Sequence, residues 1–488
     1  MHFPWWYVPL LTAPMLIAIV STVHVLVAHY AVGGGLFLAM EASYAYHTKN
    51  VDYLAYLKRH AKFFVLLTVV FGAVTGVGIW WTIGLASPLA TRILLQTFVF
   101  AWAVEWVFFL LEIVSAFVFY YYWDRLPQKI HTTVLWIYAI SGWASLAIIS
   151  AITAFMLDPG DWLKDHNFWS AILNRQALPQ IMSRTGGAML LSSLYVYLHA
   201  AVTIKDAALQ ALIEKRSTRP ALLGAVMIAV GGGLWYIFLP DSAQAALTAA
   251  PVLNVFMGVL FGATAVVFVL LYLGPYRNPG WMYSPGFAAS LLLFGFAGFS
   301  TGEFIREAVR KPYIIYNLVL GNQVQATRTD IEPLKKDGFL DGGVWTRGYV
   351  EQNYPSVVNE DRHIDWNKVR ELPPVDKIRL GGVIFQYHCN DCHALDRGYS
   401  PVGPLVQGWS RPMIRDLVGN LDKHRFTMPP WCGRDEEADL LADYLYSIAP
   451  QRPTGMLPGA RTKPGEAADD GPFPNNISPA DNAAPRGE

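Results

Sequence analysis

A chain of 488 residues with 53% hydrophobic and only 15% charged residues has the composition of a membrane protein rather than a soluble one. Zero formal net charge and the lack of any basic run give nucleic acid no footing as a partner. Three cysteines, two of them inside one pentapeptide, exclude a disulfide framework and reserve that pair for other chemistry.

The opening MHFPWWYVPLLTAP has neither the basic region nor the cleavage site of a secretory signal, so this segment is expected to be retained. Trp5, Trp6 and Tyr7 suit an anchor at the outer interface. Eight apolar runs follow, near 14–46, 60–84, 93–122, 130–157, 177–204, 219–240, 250–274 and 284–308. Each is long enough to cross about 30 Å of hydrocarbon as a helix. With the N-terminus outside, the inner loops carry eleven basic residues (Lys49, Lys58, Arg59, Lys62, Arg125, Lys129, Lys205, Lys215, Arg216, Arg219, Arg277). The outer loops carry four: Arg92, Lys164, Arg175 and Arg184. That imbalance sets an N-out orientation, and an even number of spans returns the C-terminus to the same side. The expected domains are a transmembrane unit at 1–310, a polar connector at 311–375, a small soluble domain at 376–450 and a disordered tail at 451–488. Helices are expected at 376–388 and 435–448.

Within the soluble domain stands Cys389-Asn390-Asp391-Cys392-His393. In this pattern two thiols form thioethers to the haem vinyls and the adjacent imidazole binds the iron, so a covalent haem c is expected here. No second ligand pair is present to make a zinc site instead. Met428, in Thr427-Met428-Pro429-Pro430, is the expected second axial ligand, with Met413 and His424 as competitors. The order GGVIFQYHCNDCH, MPP, DLLADYLYSI resembles class I cytochrome c domains. The resemblance implies that the helix bearing Gly381, Gly382 and Phe385 packs on the last helix at Leu441, Tyr444 and Leu445. His388 is expected to be structural, and Cys432 a small buried side chain, with an intermolecular link as the alternative. Thioether attachment of haem takes place outside the cytoplasm in bacteria, in agreement with the loop charges.

Ionisable side chains inside a bilayer are costly and mark candidate sites. They are His24 and His29 on the first span, Glu105 and Glu112 on the third, His199 on the fifth, and Glu303, Arg306 and Glu307 near the end of the eighth. Imidazoles in a helix bundle suit haem b. Glu105 and Glu112 are two turns apart on one face, as a proton path requires; the alternative is a pair of protonated acids bonded between helices.

In chain order, HVLVAHYAVGGGLFLAMEASY, FGAVTG, the Glu105/Glu112 helix ending in YYYWDRL, NVFMG and EFIREAVRKPYIIYNLVL resemble subunit I of cytochrome bd-type quinol oxidases, over about residues 14–320. The resemblance implies that His24 is the haem ligand of the first span. It makes Glu105 and Glu112 the proton-path acids and Met257 the ligand of a low-spin haem b. It sets Glu307, Arg310 and Pro312 in the family's AE-x-GRQP segment. Two departures count. Leu178 stands where the family has the His that partners that Met, which leaves Met257 open between ligand and packing residue. Only Asp241 to Ala250 replace the long outer loop of the quinol site, so quinol oxidation is not expected there. His29 and His199 are alternative ligands of a second haem, or else hydrogen-bonded helix residues.

The expected fold is all-α, an eight-helix transmembrane bundle followed by a periplasmic all-α cytochrome c domain, in the lipid of a bacterial inner membrane. The expected cofactors are one haem c and one or more haem b, with haem d indistinguishable from b in sequence. The expected partners are a second membrane subunit and a periplasmic electron carrier or redox enzyme, with a quinone left open. The expected activity is that of a bd-like oxidase relative reducing oxygen with cytochrome c-derived electrons. Quinol-to-cytochrome c oxidoreduction and a non-catalytic electron-transfer subunit of a larger respiratory complex are the alternatives.

Overall fold

The computed structural model describes Trp6, Val8 and residues 10–449. Trp5, Tyr7 and the tail from 451 lie outside the described residues. Among the described residues, eight helices are long and apolar enough to cross a membrane: Ala13–His47, Val51–Ala86, Val99–Tyr121, Gln128–Phe155, Ala177–Thr203, Ala207–Ile237, Pro251–Arg277 and Pro285–Ala308. In hydrocarbon a helix satisfies every backbone group internally, which is why such apolar runs take no other form. Prolines occupy the first turns of the first, seventh and eighth spans, and the side chains of Asn50, Asp206 and Ser284 cap the second, sixth and eighth.

Two spans start earlier than their apolar runs. The second begins at Val51 rather than near 60, and the sixth at Ala207 rather than near 219. In both, basic turns that read as inner loop continue the helix, because a cap stands ahead of them and long Lys and Arg side chains reach back to the interface. The third run is divided into an outer helix, Pro88–Thr97, and the span from Val99. Arg184, assigned to an outer loop by sequence, lies inside the fifth span.

Lipid tails are as apolar as leucine, so close packing and interhelical hydrogen bonds must hold the bundle together. The first span is its hub. Three successive glycines let three neighbours approach it: Gly33 backs onto the Ala188 carbonyl of the fifth span, Gly34 onto Phe64 of the second and Gly35 onto Tyr138 of the fourth. Nearer the C-terminal end of the first span, Glu41 is ion-paired with Arg216 of the sixth span and accepts a hydrogen bond from Tyr53 of the second at 2.8 Å.

Beyond the last span, a two-stranded antiparallel hairpin (Tyr313–Ile315 and Val319–Leu320) lies on the end of the bundle expected to face outside. Its Ile315, Leu318 and Val319 share a core with Ala90, Phe98, Ile152 and Phe155. The Tyr316 amide donates to the Met156 carbonyl at 3.0 Å, and Gln323 Oε1 accepts from the Leu89 amide at 3.1 Å. Helix Pro374–His388 then packs on Asp435–Ile448, with Gly381 against the Leu440 carbonyl. The stretch expected to be a connector contributes short helices and buried Phe339, Leu340, Trp345, Val350 and Val369 to one core with Leu380, Ile384, Leu441 and Leu445. The Tyr399 amide donates to the Leu10 carbonyl at 2.6 Å, so this domain lies at the N-terminal end of the first span.

Candidate functional site

Helix Pro374–His388 stops at Cys389, and the chain turns back so that the Cys392 and His393 amides both donate to the Cys389 carbonyl at 3.0 Å. The turn gathers both free thiols and His393 on one loop, and burial pushes both thiols up. His393 Nδ1 donates to the Ser400 carbonyl at 2.8 Å, which fixes the tautomer and leaves Nε2 with its lone pair for a metal. Of the three downstream candidates Met428 is half-buried, whereas Met413 is 52% exposed and exposed His424 faces Asp416. Two free thiols, an oriented imidazole and a partly covered thioether are the donor set that a haem c takes, so the residues fit that group.

Behind the loop, His388 is buried between Phe339 and Trp431, with ring centroids 5.0 Å from each, and Asn322 bonds its Nδ1. Burial pushes the imidazole down to about 3, in keeping with a structural role. Cys432 is fully buried and its thiol donates to the Pro430 carbonyl at 3.3 Å. The loop also meets the outer hairpin: a side chain at Gly321 would come within 3.8 Å of Cys392 Sγ, and Lys311 is close enough to oppose the burial that pushes Asp391 up to about 8.

Within the bundle, Thr75 gives its hydroxyl hydrogen to the Phe71 carbonyl at 3.0 Å and so accepts from His24 Nδ1 at 3.1 Å. His24 Nε2 is therefore the bare nitrogen, and Gly76 leaves room beside the ring. His29 Nδ1 donates to the Val25 carbonyl at 2.7 Å, but Phe299 closes over the ring at 4.4 Å. A haem placed against the first span thus fits at His24. Glu112 accepts from the Tyr138 hydroxyl at 2.9 Å and faces Gly142, while Glu105 accepts from Ser145 at 2.6 Å, so the fourth span partners both acids.

At the C-terminal end of the eighth span, Glu303 receives Arg306 at 2.8 Å and Arg184 at 3.3 Å, and Glu307 pairs with the buried Arg310. Met257 packs among Leu157, Leu239 and Leu253, and Leu178 is 67% exposed. The structure does not bring His29 and His199 together. His29 lies against Gly187, and His199 is three turns further in along the same fifth span. His199 instead meets His60, with ring centroids 4.8 Å apart. Sequence reading missed His60 because it fell at the edge of an assumed loop; Asn50 as an earlier cap was the available signal.

A multi-pass helical membrane protein with buried histidines and carboxylates, and an outer domain presenting a CxxCH loop, defines a class of membrane redox protein. Residues 13–251 match the family model of cytochrome bd terminal oxidase subunit I, so that stretch of the membrane half is similar to this subunit. Among solved structures, the bd oxidase from Geobacillus thermodenitrificans matches with a TM-score of 0.55 at 18% identity, over 63% of this chain and 88% of that one. No curated protein matches the chain.

Proposed function

We propose that the protein is a bd-like oxidase relative that reduces oxygen with electrons delivered from a periplasmic carrier through a haem c on its own outer domain. The observation that carries this reading is the seating of the CxxCH loop. Gly321 and Asn322 hold it against a hairpin that is itself packed on the outer end of the bundle, while the outer loop before the seventh span is only a short helix, Asp241–Ala249. Electron entry is thus moved from a quinol loop to a clamped cytochrome domain.

Haem, when bound, supplies the electron transfer and the oxygen chemistry; the chain supplies the rest. Cys389 and Cys392 would attach haem c, His393, held by Ser400, would bind its iron, and Met428 would offer the second ligand. His24, oriented by Thr75, offers Nε2 to the membrane haem. Glu112 and Glu105 hold protons at carboxyl oxygens bonded to Tyr138 and Ser145. Glu307 and Arg310 form the ion pair that closes the eighth span, and Met257 serves as packing. A second membrane subunit covers part of the exposed apolar surface of the third span.

Oxygen uptake by purified protein supplied with reduced cytochrome c tests the reading. Uptake that falls by roughly a hundredfold in Glu112→Gln supports it. No uptake, together with reduction of cytochrome c by a quinol analogue, overturns it in favour of the opposite direction of flow.

A further inference from the structure

Close to the inner face lies a polar chain that the haem sites do not use. His60 of the second span and His199 of the fifth meet ring to ring at 4.8 Å, and the Nδ1 of each is buried without a partner. Two such orphans side by side are costly unless a proton or water passes between them. On the outward side, His60 Nε2 is 3.1 Å from the Tyr30 hydroxyl. On the inward side His199 is half-buried, and its carbonyl accepts from Thr203, whose own carbonyl accepts from exposed Arg59 at the inner surface. Tight ring packing by Tyr56, Phe63 and Tyr195 leaves no room for a ligand. The cluster therefore suits a relay rather than a binding site.

A second polar arm starts one ring further out. Tyr138 donates to Glu112 at 2.9 Å, and beside it Thr68 gives its hydroxyl hydrogen to the Phe64 carbonyl at 2.9 Å. Thr68 lies in a π-helical turn, Leu66–Phe71, a departure from α-helix that recurs at functional sites. Between the two arms stands Phe64, edge to face with Tyr30 at 5.3 Å and with Tyr138 at 5.5 Å.

We infer that His199, His60 and Tyr30 form a proton entry from the inner side that feeds Glu112 through Tyr138, with Phe64 as its gate. Resting on the oxidase reading for its purpose, this relay accepts one proton at His199 for each proton that Glu112 gives up. It passes that proton from imidazole to imidazole to the Tyr30 hydroxyl, and on to Tyr138 when the Phe64 ring turns aside. No bond other than O–H and N–H forms or breaks.

Infrared difference spectra of the haem-loaded protein at an electrode under argon read the Glu112 carboxyl band, assigned by its loss in Glu112→Gln. In deuterated water, exchange of that band is expected to slow by about tenfold or more in His60→Gln and in Tyr30→Phe, with the band position unchanged. Tyr30→Phe removes one oxygen only and serves where His60→Gln fails to fold. Wild-type exchange rates in the variants, or no exchanging Glu112 band in the wild type, overturn the relay. Because no oxygen is present, a protein that takes up no oxygen but shows the slowed exchange keeps the relay and loses the oxidase reading.

Discussion

Glu437 is fully buried in the outer domain and accepts backbone hydrogen bonds from Phe339 at 2.8 Å, Leu340 at 2.7 Å and Arg434 at 3.1 Å. Burial outweighs these donors and pushes its carboxyl from the usual 4.5 up to about 7. The folded state then holds a proton that the unfolded state has released. Its contribution to stability is full below about pH 4.5 and is lost as the pH rises through about 7. The thermal midpoint of the outer domain, followed by circular dichroism, is expected to be higher at pH 5 than at pH 8, and Glu437→Gln should flatten that difference. At this scale legibility depended on whether the chemistry is contiguous. Cys389, Cys392 and His393 share one short loop, so the sequence displays them together. His60 acquires meaning only from His199 and Tyr30 on other helices, which no local pattern announces.

At the level of helices, the glycine run of the first span is a packing device rather than a flexible one. A methyl at Gly33 would run into the Ala188 carbonyl, which is backbone and cannot turn away. Gly33→Ala is expected to destabilise the bundle by about 1–3 kcal/mol. Gly232→Ala, where nothing lies within 4 Å, should leave the melting midpoint in detergent unchanged. All eight spans were legible because a long apolar run has one outcome in lipid. The early starts at Val51 and Ala207 were not, since their basic first turns look the same in a loop as on a helix end. The helices of 311–375 escaped for a related reason: each offers the core only one or two apolar side chains, too few to show a period.

On the scale of the whole molecule, two neighbouring side chains join the backbone contacts at Tyr316 and Tyr399 in clamping the outer domain to the bundle: Asn322 bonds His388 on one side of the hairpin, and Gln323 accepts from the Leu89 amide on the other. Removing both side chains, at about 1 kcal/mol each, shifts the docked equilibrium by roughly thirtyfold. In the oxidase proposed above, the double variant Asn322→Ala/Gln323→Ala is therefore expected to slow electron transfer from the outer haem to the membrane haem while leaving both spectra intact. Stopped-flow absorbance at the two haem bands reads this directly, and an unchanged rate would mean that the clamp does not set the electron path.

The single core shared by residues 320–449 also decides where the chain can be cut. A soluble fragment begun at 376, where the cytochrome pattern starts, would leave Leu380 and Ile384 without the cover of Phe339, Leu340 and Trp345, and would aggregate. One begun near 320 carries its own lid and should mature as a water-soluble haem protein.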